Sequence, residues 1–224
     1  MNPTHAPRRG RAKTGTAVSA LILFFSASSI LYAVLSNPNE NYFFEFRYMT
    51  VSGTAFTAIV TLISLVTALL RAKSQKAPFS RQIYYFKLCS AVTECIIAVV
   101  ILLSLFPFVP DTPSLLSYDS FCMHVIIPTL AVVSFLLTPP PSALVSPLMR
   151  LTCTWMITLY AVVVITLIVT GLIPQEKIPY SFLDFNTRPI NYSIYFGCFI
   201  YSFTYIISVM LTDINGRIAN RRSV

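Results

Sequence analysis

A threonine and a histidine are the residues in this sequence whose types could together carry out nucleophilic chemistry. Thr50 supplies a hydroxyl group, and His124 an imidazole that can take the hydroxyl proton while the oxygen attacks a carbonyl carbon. A threonine hydroxyl in a helix tends to donate to the carbonyl one turn earlier, and that bond must be given up before attack. The structural alternative is that Thr50 and His124 serve only in helix packing.

The composition places both residues in an integral membrane protein. Apolar residues make up 55% of the 224 residues and charged residues only 11%, whereas soluble domains carry about a quarter charged residues. The net charge of +8 comes from basic residues clustered between apolar runs, as in cytoplasmic loops, which argues against nucleic acid as a partner. The five cysteines lie inside apolar runs without a CxxC pair, and we predict no disulfide framework, metal or cofactor.

Six apolar runs are long enough to cross a membrane, which predicts an all-α, six-helix transmembrane bundle. We expect a disordered basic tail at 1–15, a transmembrane domain at 16–212 and a second basic tail at 213–224. The first run is longer than the core of a signal peptide, so we interpret it as an uncleaved helix. The predicted spans are 16–35, 46–70, 83–106, 118–138, 148–172 and 190–212.

Basic residues are concentrated on one side of the predicted topology. An even number of spans puts both termini on the same side, which carries every basic residue except Arg47, Lys177 and Arg188. The positive-inside rule therefore predicts cytoplasmic termini. We expect an integral protein of the plasma membrane, which in a bacterium is the cytoplasmic membrane.

The second and fourth spans run in the same direction and bring Thr50 and His124 to the same depth. Each residue lies about four positions inside its helix, roughly 6 Å below the outer interface at ~1.5 Å per residue. Contact between the two side chains is therefore feasible. Glu94, in the third span, should lie deeper, on the order of 10 Å from that interface. It is either a functional acid or, as we prefer, a protonated carboxyl group bonded inside the bundle.

Three short motifs resemble those of the androgen-induced-protein family of integral-membrane threonine hydrolases. Arg47-Tyr48-Met49-Thr50 resembles the family's [KR]-Y-x-T at the head of a helix, and His124 followed by Pro128 resembles its histidine-to-proline helix. Tyr180-Ser181-Phe182-Leu183-Asp184 resembles its Y-P-F-L-[DE] loop before the last span. Ser181 replaces the preferred proline, and the histidine-to-proline spacing is one residue shorter. The chain also resembles six-span bacterial membrane proteins with similar motifs, a distant branch.

This resemblance implies a hydrolase of lipid esters, such as fatty-acid esters of hydroxy fatty acids, with Thr50 as nucleophile and His124 as base. Such a site also needs an oxyanion donor and a group that orients the histidine. The candidates expected near the outer interface are Asp184, Asn191, Tyr192, Tyr118 and Ser120. Asp184 is preferred because it also belongs to a motif. The supporting or substrate-pocket residues that we predict are Asp184, Asn191, Tyr48 and Tyr180.

The alternative function is that of a membrane protein without enzymatic activity, either a lipid-binding or scaffold subunit or, less favoured, a small transporter. His124 and Glu94 would then be buried polar contacts or a proton-coupled site. Transporters commonly contain internal repeats or helices broken at mid-membrane. The sequence shows no repeat, and its prolines cluster at helix ends apart from Pro128. The partner expected of the hydrolase is a membrane lipid or a lipid-like ester.

Overall fold

Six long helices make up the fold seen in the computed structural model, which describes residues 6–36, 42–73, 80–101, 117–141, 146–187 and 189–221. Within these ranges there is no strand, and all six helices are long and apolar enough to cross a membrane, as predicted. The helices are α1 (Ala6–Ser36), α2 (Met49–Lys73), α3 (Ser80–Val100), α4 (Tyr118–Leu137), α5 (Pro147–Val169) and α6 (Ile190–Asn220). The chain ends predicted as tails at 1–5 and 222–224, and the predicted end of the third span at 102–106, lie outside the described residues.

The first and last helices extend beyond the predicted spans. α1 begins at Ala6, inside the segment predicted as a disordered tail, where alanine, arginine and lysine favour a helix. α6 continues to Asn220 rather than ending at Thr212. Asn215 is buried in this extension, and its side-chain amide bonds to the end of α4. The accepting carbonyl groups are those of Phe135, Leu136 and Thr138, at 3.3, 3.2 and 3.1 Å. The extension is therefore packed on the bundle.

α3 is the central helix of the bundle. It packs against α2, α4 and α6, and 56% of its span is buried, against 22–39% in the other five. Buried apolar side chains join it to α4, with the Tyr84 and Phe135 rings 5.0 Å apart. α3 thereby fixes α2 and α4, which run in the same direction, relative to each other.

Small and hydroxyl-bearing residues on α2 form its contact with α3, as their helical spacing suggests. Thr54, Thr57 and Thr61 are buried there. Gly53 permits the close approach, since a Cβ atom built on it would lie 2.5 Å from Ile97 Cδ1 and 3.2 Å from a methyl carbon of Thr93.

Substitution of Gly53 by leucine should destabilise the bundle. Overpacking of a tight contact costs about 1–3 kcal/mol, and we expect a lower midpoint of thermal unfolding in detergent. Gly216→Leu is the matched control, because a Cβ atom on Gly216 meets nothing within 4 Å. Equal midpoints for the two variants would contradict the close contact between α2 and α3.

The end of the bundle at which α2, α4 and α6 begin is called the Thr50 end. The described residues of the connection from α5 to α6, 170–187 and 189, lie at this end. The second of them, Gly171, has a φ of +73°, a left-handed conformation that terminates a helix. Ile173 and Leu183 of the connection are buried against Tyr160 and Val164 of α5. This packing holds the connection over the start of α2.

Candidate active site

Thr50 and His124 are in hydrogen-bond contact at the Thr50 end. Thr50 Oγ1 lies 3.3 Å from His124 Nε2. The distance is slightly longer than the usual N···O hydrogen bond of about 2.7–3.2 Å. The matched depth inferred from helical rise therefore corresponds to contact between the two side chains.

The second ring nitrogen of His124 determines the tautomer. Nδ1 lies 2.8 Å from the main-chain carbonyl oxygen of Ser120, which can only accept a hydrogen bond, so Nδ1 carries the proton. Nε2 then directs its lone pair at Thr50, whose hydroxyl donates to it. The Ser120 hydroxyl lies 3.1 Å from Nδ1 as a further contact. Ser120 thus orients the imidazole through its main chain rather than through a carboxylate.

His124 lies in a π-helical turn, Cys122–Ile126, inside α4. Pro128 has no N–H to donate to the carbonyl of His124 four residues earlier, and its ring would clash with that carbonyl in a regular helix. The wider turn, in which the Ile127 N–H bonds to the Cys122 carbonyl, relieves this conflict. π-turns are frequent at functional sites. The histidine-to-proline spacing therefore has a direct effect on where the imidazole lies.

Thr50 lies in the first turn of α2, and its hydroxyl is directed at His124. The carbonyl of Phe46, four residues before Thr50, accepts a hydrogen bond of 2.8 Å from the Ser52 hydroxyl instead. The segment before α2 is anchored by Tyr160, whose hydroxyl donates to the carbonyl of Arg47. The competing bond expected for a helical threonine is thus replaced by the bond to the imidazole.

Tyr180 brings the connection between α5 and α6 to the same site. Its hydroxyl oxygen accepts a hydrogen bond of 3.1 Å from the Met49 N–H and also contacts Thr50. The first N–H groups of a helix have no partner within the helix, so this hydroxyl caps α2. Burial raises the pKa of Tyr180, and the group stays a neutral phenol with a proton to donate.

Thr50 lines two cavities that differ in polarity. The polar cavity, of about 530 Å³, is lined by His124 and Ser120, and its charged lining residues are Glu45, Arg47 and Asp119. The apolar cavity, of about 300 Å³, extends between α5 and α6, and no charged side chain is among the described residues that line it. Thr50 and Tyr180 line both cavities. Thr50 therefore lies beside a polar space and a hydrocarbon-like space together.

The other residues predicted for the site lie at different distances from it. Tyr48 lines the polar cavity, and its ring packs edge-on against Tyr180 with 6.4 Å between centroids. Asp184 and Asn191 line neither cavity. Asp184 instead accepts hydrogen bonds from Thr187 and Gln175 in its own connection. Asp184 can therefore affect the site only through the loop that carries Tyr180.

Removal of the Asp184 carboxylate should loosen this loop. The hydrogen bonds from Thr187, Asn186 and Gln175 hold the pKa of Asp184 below its usual range. Their contribution to the stability of the loop is therefore present above the ordinary pKa of about 3.9, and it is lost as the pH falls through the pKa of the folded state. Asp184→Ala should lower hydrogen-exchange protection at the amides of Asn186 and Thr187 at neutral pH. Acidification should lower the protection of these amides in the parent, whose carboxylate becomes protonated, but not in the variant, which has no carboxylate at this position.

The control for this measurement is Asn191→Ala, because Asn191 is exposed just beyond the loop. It should leave the protection of both amides unchanged. Unaltered protection in Asp184→Ala would show that the carboxylate does not order the loop.

Glu94 is buried in the contact between α2 and α3, apart from the Thr50–His124 pair. Its Oε1 accepts a hydrogen bond of 2.7 Å from Thr57, whose hydroxyl in turn accepts one of 3.0 Å from Ser90. Glu94 lines neither cavity. One carboxyl oxygen is thus bonded inside the bundle, whereas Oε2 is buried without a hydrogen-bond partner among the described residues. The protonated, fully bonded carboxyl group stays a prediction.

Comparison of the chain with models of protein families, with curated proteins and with solved structures finds no match. The chemistry of the site is therefore deduced from its own geometry: a hydroxyl, an oriented imidazole, a buried phenol and two cavities.

Proposed function

We propose that the protein is an integral-membrane hydrolase that cleaves ester bonds of lipid-like substrates, with Thr50 as nucleophile and His124 as base. The main support is the contact of Thr50 Oγ1 with the unprotonated Nε2 of an imidazole held by Ser120. The motif resemblance to the androgen-induced-protein family adds fatty-acid esters of hydroxy fatty acids as a substrate class. The basic residues favour cytoplasmic termini, which would put the Thr50 end at the outer leaflet of the plasma membrane.

Acylation begins when Thr50 Oγ1 attacks the ester carbonyl carbon. The new C–O bond forms as the hydroxyl proton passes to His124 Nε2, and the carbonyl oxygen becomes an oxyanion. The Ser120 carbonyl stabilises the imidazolium by accepting from its Nδ1–H. When the tetrahedral intermediate collapses, the ester C–O bond breaks and the alcohol leaves with the proton from Nε2.

Deacylation repeats these steps with water from the polar cavity. His124 takes a proton from the water as its oxygen attacks the acyl carbon, and it returns the proton to Thr50 Oγ1 as the acyl–oxygen bond breaks. The products are a carboxylic acid and an alcohol, and the threonine and the neutral histidine are regenerated. The position of His124 in the lining of the polar cavity gives water access to the base.

Tyr180 supplies the hydrogen bond to the oxyanion. Its hydroxyl oxygen is occupied by the Met49 N–H, and because the Thr50 proton is directed at His124, the Tyr180 proton is the one directed toward Thr50, from which it can pass to the oxyanion. The N–H groups in the first turn of α2 lie at the positive end of the helix dipole, which also stabilises the negative charge of the oxyanion.

Tyr180→Phe should therefore lower kcat about 10²–10³-fold, the usual effect of removing an oxyanion donor. The substitution keeps the ring, which stacks on Phe182 with 5.2 Å between centroids, so we expect the fold to be retained. The measurement is hydrolysis of a chromogenic fatty-acyl ester by purified protein in liposomes. Tyr195→Phe, at a tyrosine that is 72% exposed, is the control and should match the parent. A Tyr180→Phe rate within twofold of the parent would exclude this role.

A fluorophosphonate probe tests the proposed function in native membranes. An activated Thr50 oxygen would attack the phosphorus and expel fluoride, and mass spectrometry should then locate the adduct at Thr50. Thr54→Ala is the control, because Thr54 lies one turn further along α2 and its buried hydroxyl has no hydrogen-bond partner among the described residues. It should label as the parent does. A folded parent that stays unlabelled, or an adduct only on another residue, would refute Thr50 as nucleophile.

A further inference from the structure

The apolar cavity beside Thr50 forms where α5 and α6 diverge. α6 packs against residues 147–154, the part of α5 farthest from the Thr50 end, whereas Trp155–Val169 makes few contacts with it. A hydrogen bond of 2.5 Å between the hydroxyl groups of Thr158 and Tyr201 links the two helices at the deep end. Ile190 and Tyr201 both line the cavity, and they are about 16 Å apart along α6 at ~1.5 Å per residue. The cavity is therefore long and follows the direction of the helices.

The lining of this cavity offers an entering ligand a mainly apolar surface. Most of the lining residues are aliphatic or aromatic, and those with hydroxyl groups are bonded within the protein. The bonded pairs are Tyr160 with the Arg47 carbonyl, Ser193 with the Phe182 carbonyl, Tyr201 with Thr158, Tyr180 with the Met49 amide and Thr50 with His124. Away from Thr50 and Tyr180, a polar ligand would lose its hydrogen bonds to water here without replacing them, whereas a hydrocarbon chain loses none.

The wall formed by α6 lies on an open side of the cavity. Its lining residues Ile190, Ile194 and Tyr201 are 68%, 57% and 37% exposed, so the cavity is open to the surroundings of the bundle rather than enclosed. Around a helix that crosses a membrane those surroundings are hydrocarbon, and a hydrocarbon chain would enter the cavity there without passing through water.

We propose that this cavity binds the fatty acyl chain of the ester and admits it laterally from the membrane, between α5 and α6. The proposal rests on the proposed function and extends it to the position of the substrate. The carbonyl carbon lies at Thr50, the acyl chain in the apolar cavity, and the leaving oxygen of the ester on the side of the polar cavity. Thr50 lines both spaces, so the bond to be cleaved lies at their boundary.

Gly197 on α6 provides a way to shorten the cavity. It is a lining residue, and a Cβ atom built on it meets nothing within 4 Å, so a side chain can be added there without a clash at its first carbon, and a large one takes up cavity volume. Gly197→Phe should lower the ratio of long-chain to short-chain ester hydrolysis at least tenfold. Gly216→Phe on the same helix is the matched control, because Gly216 is equally open but outside the cavity. It should leave the ratio unchanged.

Photo-crosslinking measures binding without requiring turnover. The Thr50→Ala protein in lipid nanodiscs would be irradiated with a palmitoyl ester of hydroxystearic acid that carries a diazirine near the end of the palmitoyl chain. Adducts are expected on peptides of α5 and α6 that line the cavity. Their yield should fall at least fivefold when Gly197→Phe is added and should be unaffected by Gly216→Phe.

These two readouts separate the acyl site from the proposed function. Adducts in the cavity that Gly197→Phe reduces, without hydrolysis by the parent, support the acyl site and refute the hydrolase. Hydrolysis accompanied by adducts only on the lipid-facing surface, or by adducts that Gly197→Phe does not reduce, overturns the acyl site and leaves the hydrolase intact. An unchanged chain-length ratio in Gly197→Phe also overturns it.

Discussion

Replacement of Thr50 by alanine is expected to reduce ester hydrolysis to near the uncatalysed background, a loss on the order of 10⁴-fold or more. Without Oγ1 no acyl-enzyme can form, and the only remaining route is direct attack by water with His124 as base. The measurement is turnover of a chromogenic fatty-acyl ester by purified protein in liposomes. The burst of alcohol that accompanies acyl-enzyme formation should vanish as well.

Two substitutions distinguish loss of the nucleophile from loss of the fold. Thr50→Ser keeps the hydroxyl and should retain both the burst and measurable turnover. Thr54→Ala removes a buried hydroxyl one turn away on the same helix and should behave as the parent. Turnover by Thr50→Ala within tenfold of the parent, at equal yield of folded protein, would mean that the threonine is not the nucleophile.

The matched depth of Thr50 and His124 follows from quantities that a membrane sequence contains. Depth in a bilayer is set by residue count and helical rise, and the direction of each span follows from the number of spans before it. The same count separates Glu94 from the pair. The rotation of a helix about its axis is set by tertiary packing instead, so counting could show that contact was feasible but not that the two side chains face each other.

The group that orients His124 was harder to predict. Ser120 was among the candidates because of its depth, but its main-chain carbonyl, which any residue could supply, makes the 2.8 Å contact. The π-turn before Pro128 determines where the ring lies, and a proline predicts disruption of a helix without predicting which form it takes. Sequence alone could not identify the bond.

The position of Tyr180 depends on long-range packing. Its hydroxyl bonds to the Met49 amide, 131 residues earlier in the chain, because the connection between α5 and α6 folds over the start of α2. The motif resemblance indicated a pocket residue, but the capping of α2 and the two cavities appear only in three dimensions. The burial of Asn215 was missed for a related reason: the composition of 213–224 indicates a basic tail, whereas the bonds of Asn215 to the end of α4 depend on tertiary packing.

Substitution of His124 by alanine is expected to lower kcat/KM about 10²–10⁴-fold, the range attributed to general acid–base catalysis. The effect should be smaller than that of Thr50→Ala, because the hydroxyl remains and can still attack slowly with water as the base. His124→Gln should be similarly slow, since an amide can hydrogen-bond to Thr50 but cannot accept its proton. The rate of fluorophosphonate labelling should fall along with turnover in both variants.

Ser120→Ala is the informative control for His124, because it removes the side chain but leaves the carbonyl that accepts from Nδ1. Its rate should stay within a few-fold of the parent. A loss in Ser120→Ala as large as in His124→Ala would assign the orienting role to the hydroxyl, which lies 3.1 Å from Nδ1. Undiminished labelling in His124→Ala would instead make the imidazole a packing residue and require another base for Thr50. The two substitutions together thus distinguish whether the tautomer is set by the backbone of α4 or by a side chain.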